Sequence, residues 1–298
     1  MTTLSVIGAP TSAGAYGPGQ ELTPAVLRRH GLIEALRGIG FDVVDRGDGR
    51  LAEFGPDDDN PTARNPGKVA AVAGELADSV AAALADDHRL LVLGGDCTIE
   101  LGVVSGAIRD GARVGLAYVD LDADLNTPET GDGAIDWMGV AHLLDVPGAI
   151  DQLAGLGQRR PLLDAEAVRM FAVENVTPAE RANVDRLELH IEPLAAVVGD
   201  LDAVAERTRA WAATYDRLLV HVDIDVLDYT KFPIAHEVRT SPGLELAQLA
   251  DLLRVLCGLS NWSSLTLTEI NPHHAPDEAE SFGRLIAMLS DALSGSRG

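Results

Sequence analysis

The 298-residue sequence predicts an α/β fold of three layers, a mainly parallel sheet covered by helices on both faces. Three observations carry that prediction. Short apolar runs alternate with helical segments almost throughout. The chain is 46 % hydrophobic but only 4 % aromatic, so Ala, Val and Leu must fill a sizeable core. No break in composition and no internal repeat divides it, and residues 1–298 read as a single domain.

The elements follow in order. Residues 4–9 (LSVIGA) form the first strand, and the Gly-, Ala- and Pro-rich stretch 10–19 is a loop. Its glycines do not match the spacing of a dinucleotide-binding turn. Thr23 is placed to cap a helix with Pro24 in its first turn, running to about Ile39 and closed by Gly40. Residues 41–45 form the second strand and 46–66 an acidic loop. An Ala-rich helix over 66–87 precedes a wholly apolar strand at 90–93, then Gly94-Gly95-Asp96-Cys97-Thr98 and a helix over 99–110. The strand at 114–119 runs into Asp120. A second Gly/Asp loop covers 127–136, with a helix over 137–144. Strands are expected at 168–173, 187–191, 218–222 and 265–270, and helices at 201–215, 246–256 and 276–293. Residues 226–243 read as a loop.

The net charge of −23 argues against nucleic acid and anionic membrane surfaces as partners. Two cysteines far apart, Cys97 and Cys257, make no disulfide framework, and no apolar run is long enough to span a bilayer. A soluble protein of a reducing cytoplasm is expected.

Chemistry concentrates at strand ends. Asp120, Asp122 and Asp124 occupy alternate positions, which an extended chain points to one side. Three carboxylates so placed repel unless a cation neutralises them, and a hard divalent ion with oxygen ligands does so. Asp223 and Asp225 repeat the layout after another apolar run. The bland alternative is a set of solvated acids in an acidic protein.

Gly-Gly-Asp-Cys (94–97), Asp-Leu-Asp-Ala-Asp (120–124), Asp-Ile-Asp (223–225) and Thr-Glu-Ile-Asn-Pro (268–272), in that order on an alternating chain, resemble the arginase/agmatinase (ureohydrolase) family. Pro24–Arg28, Gly40–Asp48 and Asn126-Thr127-Pro128 agree as well, so the resemblance covers nearly the whole chain. It implies an arginase-like three-layer domain with an eight-stranded, mainly parallel sheet. It also implies hydrolysis of a C–N bond in a small cationic guanidino or amidino compound by metal-activated hydroxide, with a urea-type product. The cofactor implied is a divalent metal, Mn²⁺ in the family pattern and two ions per site; trimers or hexamers are implied as the assembly. One ion would take Cys97, Asp120, Asp124 and Asp223, the other Asp120, Asp122, Asp223 and Asp225. Glu269 falls where the family sets a carboxylate against the guanidinium, and Asp96 resembles the acid behind the metal ligands. Asn126 and Asp132 lie in the substrate-binding loop, and Thr177 stands where a later aspartate is usual.

Three positions depart from the family at once. Cys97 and Asp122 replace metal-binding histidines, and Asp136 stands where a histidine acid/base is common. Cys97, Asp120, Asp122, Asp124, Asp223 and Asp225 carry six potential negative charges, against +4 from two ions. Protonation, a nearby cation or a single metal must close that gap. Cys97 shifts preference towards Zn²⁺ or Fe²⁺, or is simply a small buried residue. Asp136 is either a general acid or a cap for the next helix. His142, His273 and His274 are the candidates for the missing proton shuttle, and His221, deeper in its strand than the metal ligands, reads as core or as a support behind them. A hydrolase of a specialised non-arginine substrate such as an N-hydroxyguanidine, and a non-catalytic relative, remain the rival readings.

Overall fold

The computed structural model describes residues 2–157 and 159–296. All eight expected strands form, as β1 (Thr3–Gly8), β2 (Asp42–Asp48), β3 (Arg89–Leu93), β4 (Val114–Val119), β5 (Val168–Phe171), β6 (His190–Glu192), β7 (Arg217–Asp223) and β8 (Trp262–Thr268). They join in one sheet of order β2-β1-β3-β8-β7-β4-β5-β6. Every neighbouring pair is parallel, because the chain returns through helices rather than hairpins. The antiparallel contact, Ala235 with Ile270, is an isolated bridge outside the named strands.

The helices are α1 (Thr23–Arg29), α2 (Leu32–Gly38), α3 (Pro66–Ala85), α4 (Ile99–Ala107), α5 (Gly139–Leu143), α6 (Asp151–Ala154), α7 (Pro178–Leu187), α8 (Leu194–Gly199), α9 (Leu201–Ala212), α10 (Leu246–Cys257) and α11 (Glu278–Leu293). Strand alternation divides the core between two layers. Leu91 and Leu93 of β3 join Leu27, Leu36, Val204, Leu253 and Leu285 from α1, α2, α9, α10 and α11. Leu90 and Val92 face the other way, onto Val72, Leu76, Leu101 and Val104 of α3 and α4. On that second side α4 lies hard against α3. A Cβ added at Gly102 would sit 2.6 Å from the Ala73 carbonyl oxygen, and one at Gly106 2.6 Å from that of Ala77. Only glycine permits this approach.

Several boundaries move. The helix expected from Thr23 to Ile39 is broken at Gly31, whose φ of 88° belongs to the left-handed region. Thr23 does not cap it; its hydroxyl donates to the Ile270 carbonyl at 2.7 Å. The expected strand 187–191 starts late, at His190, since Leu187 closes α7, a helix opened by the Thr177/Glu180 capping box. α6, α7 and α8 are additions to the expected elements. The last helix begins at Glu278 rather than Pro276, with Asp277 accepting the Glu280 N–H. No helix among the described residues is long and apolar enough to cross a membrane.

Candidate metal centre

The sheet order makes the site. β3, β8, β7 and β4 are consecutive neighbours, so the four acid-bearing strand ends lie side by side at the carboxyl edge. Cys97, Asp122, Asp124, Asp132, Asp136, Asp223, Asp225, Glu237, Arg239 and Glu269 line a cavity of about 260 Å³ there, closed partly by Tyr16 and Trp137.

The aspartates after β4 converge by a route other than the expected one. Strand pairing stops at Val119, and Asp124 adopts a left-handed φ of 51°. Asp120 Oδ1 accepts the Asp122 N–H at 2.7 Å, closing a tight turn. That turn separates Asp122 from Asp124 instead of laying both on one face. Asp120 joins Cys97 and Asp124 in one group of metal-type donors, and Asp122 and Asp225 in another; a third group is Cys97, Asp223 and Glu269. Within each group the donor atoms lie within 4.8 Å of one another. Asp223 ends β7 and accepts the Asp225 N–H at 2.7 Å. Asp120 Oδ2 and Asp225 Oδ1 are buried and have no hydrogen-bond partner.

Burial, reinforced by Asp124, Asp223 and Asp225, drives the Asp120 carboxyl well above the ordinary range. Burial does the same to Asp124, against the hydrogen bond that the Tyr118 hydroxyl donates to it. It does so to Asp223 with help from Asp225. Asp225 rises to about 7, burial outweighing the attraction of Arg239. Buried acids held this far from their ordinary state are the electrostatic condition under which a bound cation stabilises most.

Cys97 is buried, its Sγ lying 3.1 Å from Asp223 Oδ2, 3.1 Å from Thr268 Oγ1 and 3.4 Å from His221 Nε2. His221 Nδ1 faces Glu100 Oε2 at 3.2 Å, and its ring stacks on Tyr118. His221 thus sits behind the donors, as its place in the strand predicts. Cysteine, histidine and acid here have the order of a nucleophilic triad. Burial and the charges of Asp223 and Glu269 push the thiol up, however, so it keeps its proton and donates to Asp223. A metal ion at these donors is what turns such a thiol into a thiolate.

Glu269 is held on both sides. Gln20 Nε2 donates to its Oε2 at 2.9 Å and the Cys97 N–H to its Oε1 at 3.0 Å, with a backbone φ of 59°. Burial and Asp136 raise its pKa strongly. Asp136 opens a 3-10 turn (Asp136–Met138), and its Oδ1 accepts the Trp137 N–H at 2.9 Å. It is a cavity acid and not the expected cap, since the turn is capped from Ile135 without a side-chain bond and α5 from Met138, and burial with Asp96 nearby raises its pKa well above the ordinary value. Asp96 lies underneath: Oδ2 accepts the Gly14 N–H at 3.0 Å, and Oδ1 accepts the Thr98 N–H and hydroxyl. It ties loop 10–19 to the end of β3.

Asp132 stands at the exposed rim. Asn126 is buried beside Thr130 and does not line the cavity, and Thr177 is spent on capping α7. Of the histidine candidates none lines it. His142 is buried against the Met138 carbonyl, with a pKa lowered by burial to about 4, and His274 meets the Ala235 carbonyl.

Four cavity or support residues have no motif in the sequence: Tyr16, Gln20, Glu237 and Arg239. Arg239 is a nearby cation of the kind the charge count allowed for, and it offsets part of the excess acid. It pairs closely with Asp122 and lies 3.5 Å from Asp225 Oδ2. The excess of acid left such a residue as one of three alternatives; nothing in the loop 226–243 singled out its position.

Comparison with known proteins agrees with this frame. The Arginase family model matches residues 2–290. Human mitochondrial arginase-2 is 29 % identical over 290 residues, covering 93 % of this chain and 80 % of that protein. Human arginase-1 is 29 % identical over 281 residues, covering 91 % and 85 %. The native structure of Bacillus caldovelox arginase superposes with a TM-score of 0.85 at 25 % identity, covering 100 % of this chain and 99 % of that one. Formimidoylglutamase from Bacillus subtilis shares the fold at 16 % identity, with a TM-score of 0.74 and coverage of 100 % and 89 %. A match along nearly the whole chain, on a sheet that brings the four acidic strand ends together, establishes that this chain belongs to the arginase family.

Proposed function

We propose that the chain hydrolyses a C–N bond of a guanidino or amidino compound, releasing a urea-type product, with a divalent cation held by Cys97, Asp120, Asp124 and Asp223. The observation that carries this reading is the grouping of Cys97, Asp120 and Asp124, with Asp223 3.1 Å from the shared Cys97 Sγ and Asp120 Oδ2 buried and unpartnered, beside an acid-lined cavity. When bound, the cation supplies a water that ionises near neutral pH. Mn²⁺, Zn²⁺ and Fe²⁺ all suit a mixed thiolate and carboxylate set, the thiolate favouring the softer two.

The remaining work belongs to the chain. Glu269 offers a carboxylate fixed by Gln20 and the Cys97 N–H, matched to the planar guanidinium. Asp136, its carboxyl raised above the ordinary range by burial and by Asp96, gives a proton to the departing nitrogen. The Tyr118 hydroxyl holds Asp124 in its orientation. Asp132 and Glu237 make the rim anionic, and neither Asn126 nor Thr177 reaches the cavity to hold amino-acid groups. The favoured substrates therefore lack an α-carboxylate.

The test is urea-type product release with Mn²⁺, Zn²⁺ and Fe²⁺ across arginine, agmatine, guanidino acids and N-hydroxyguanidines. Turnover is expected, faster for compounds without the carboxylate. No product from any pair between about pH 6 and 10 overturns the proposal.

A further inference from the structure

The second cation position implied by the family pattern contains a side chain. The family pattern gives it Asp120, Asp122, Asp223 and Asp225, of which Asp120, Asp122 and Asp225 form one group of donors here. Arg239 Nη2 is in close contact with Asp122 Oδ2 and lies 3.5 Å from Asp225 Oδ2, so one guanidinium nitrogen sits between two of the three donors. A divalent ion needs those same oxygens at about 2.0–2.3 Å, in a shell that a guanidinium nitrogen cannot share. The Arg239 side chain is three-quarters buried, and its Nη1 is buried without a hydrogen-bond partner. The inner position differs. No ion pair among the described residues joins Cys97, Asp120, Asp124 or Asp223 to an arginine or lysine, Arg239 reaching Asp120 only through its longer-range attraction, and their hydrogen-bond partners include Tyr118, Thr268 and His221.

Residues 122 and 239 make chemical sense as a pair. An imidazole at position 122 is neutral when it serves as a metal ligand and offers nothing to hold an arginine. A carboxylate there does hold one, through a charge-assisted hydrogen bond. Asp225 shares the same charge through Oδ2, while its buried Oδ1 has no hydrogen-bond partner.

We infer that the Arg239 guanidinium is a built-in substitute for the second metal ion, and that the chain holds a single divalent cation, at Cys97, Asp120, Asp124 and Asp223. This rests on the metal reading of the site given above. It makes Arg239 a positioning residue: it fixes Asp122 and Asp225 beside the metal and supplies one positive charge where an ion would supply two.

The experiment measures metal bound to the full chain after loading with Mn²⁺ and dialysis into metal-free buffer, by elemental analysis and by electron paramagnetic resonance. The unaltered protein is expected to keep about one equivalent, with the spectrum of an isolated ion. Arg239→Met, similar in length and uncharged, is expected to take up about two, with spin coupling between neighbouring ions. Arg239→Lys retains the charge and is expected to stay near one. Asp122→His, which removes the arginine's anchor and adds a nitrogen donor, is the second route to about two, and keeps the test open if Arg239→Met fails to fold. Two tightly held ions in the unaltered protein, or one ion in both Arg239→Met and Asp122→His, overturn the inference and leave the proposed hydrolase standing. No bound metal in the unaltered protein overturns both.

Discussion

The Tyr118 hydroxyl donates to Asp124 while the ring lies against His221, 4.2 Å between centroids, so one side chain braces two members of the centre. Tyr118→Phe keeps the stacking and removes the donor. Metal affinity is expected to fall about 10–100-fold, as for other residues that orient a ligand, which isothermal titration measures directly. Asp223 belongs to the donor set itself, so Asp223→Asn is expected to cost more than about 100-fold and to leave the dialysed protein without metal. These positions were legible in the sequence because acids directly after apolar runs fall at the carboxyl edge of a parallel sheet. The grouping of Asp122 away from Asp124 followed from the family resemblance but not from strand alternation, which lays both on one side. It comes from the left-handed turn at Asp124, which alternation does not foresee. Arg239 was not legible for another reason: its partners are more than 100 positions away for Asp122, and no local pattern marks it.

At the scale of elements, α3 and α4 meet through Gly102 and Gly106, where an added methyl would strike carbonyl oxygens of the facing helix. Gly106→Val is expected to destabilise the protein by about 1–3 kcal/mol or more through overpacking, read as a lower urea midpoint. Metal stoichiometry should be unchanged in the folded fraction, because Gly106 lies in the helix well beyond Cys97. The long apolar helices and all eight strands announced themselves through periodicity and composition. The short α6, α7 and α8 did not, since tertiary contacts rather than repeating apolar positions decide whether four to ten residues close into a helix. Gly31 shows the complementary case: an apolar pattern continuous across it cannot reveal that its φ turns positive and breaks one expected helix into two.

For the whole molecule, strand existence was readable but strand order was not, because hydrophobic patterning says which segments are buried and not which lie adjacent. That order, β3-β8-β7-β4 at the centre, gathers the charge. Its thermodynamic consequence is a pH dependence with a definite sign. The Asp225 carboxyl rises from an ordinary 3.8 to about 7, and Asp120, Asp124 and Asp223 also rise. The folded metal-free protein thus binds more protons than the unfolded chain above pH 3.8, and stability must fall as pH rises towards and through 7. Chelator-treated protein is expected to melt at lower temperature at pH 8 than at pH 5. Metal displaces those protons, so the rise in melting temperature on adding Mn²⁺ should grow over the same interval. Differential scanning fluorimetry across that range, with and without chelator, checks both slopes.

The contact of Arg239 with Asp122 and Asp225 also sets a concentration scale. A group tethered through a short loop is present at its partners at an effective concentration in the millimolar range, on the order of 1 mM or above. Free guanidinium compounds and free divalent ions at micromolar levels therefore compete poorly for those two carboxylates. On the single-cation proposal, occupancy of the outer half of the centre would be set when the chain folds, and the composition of the medium would govern only the inner half.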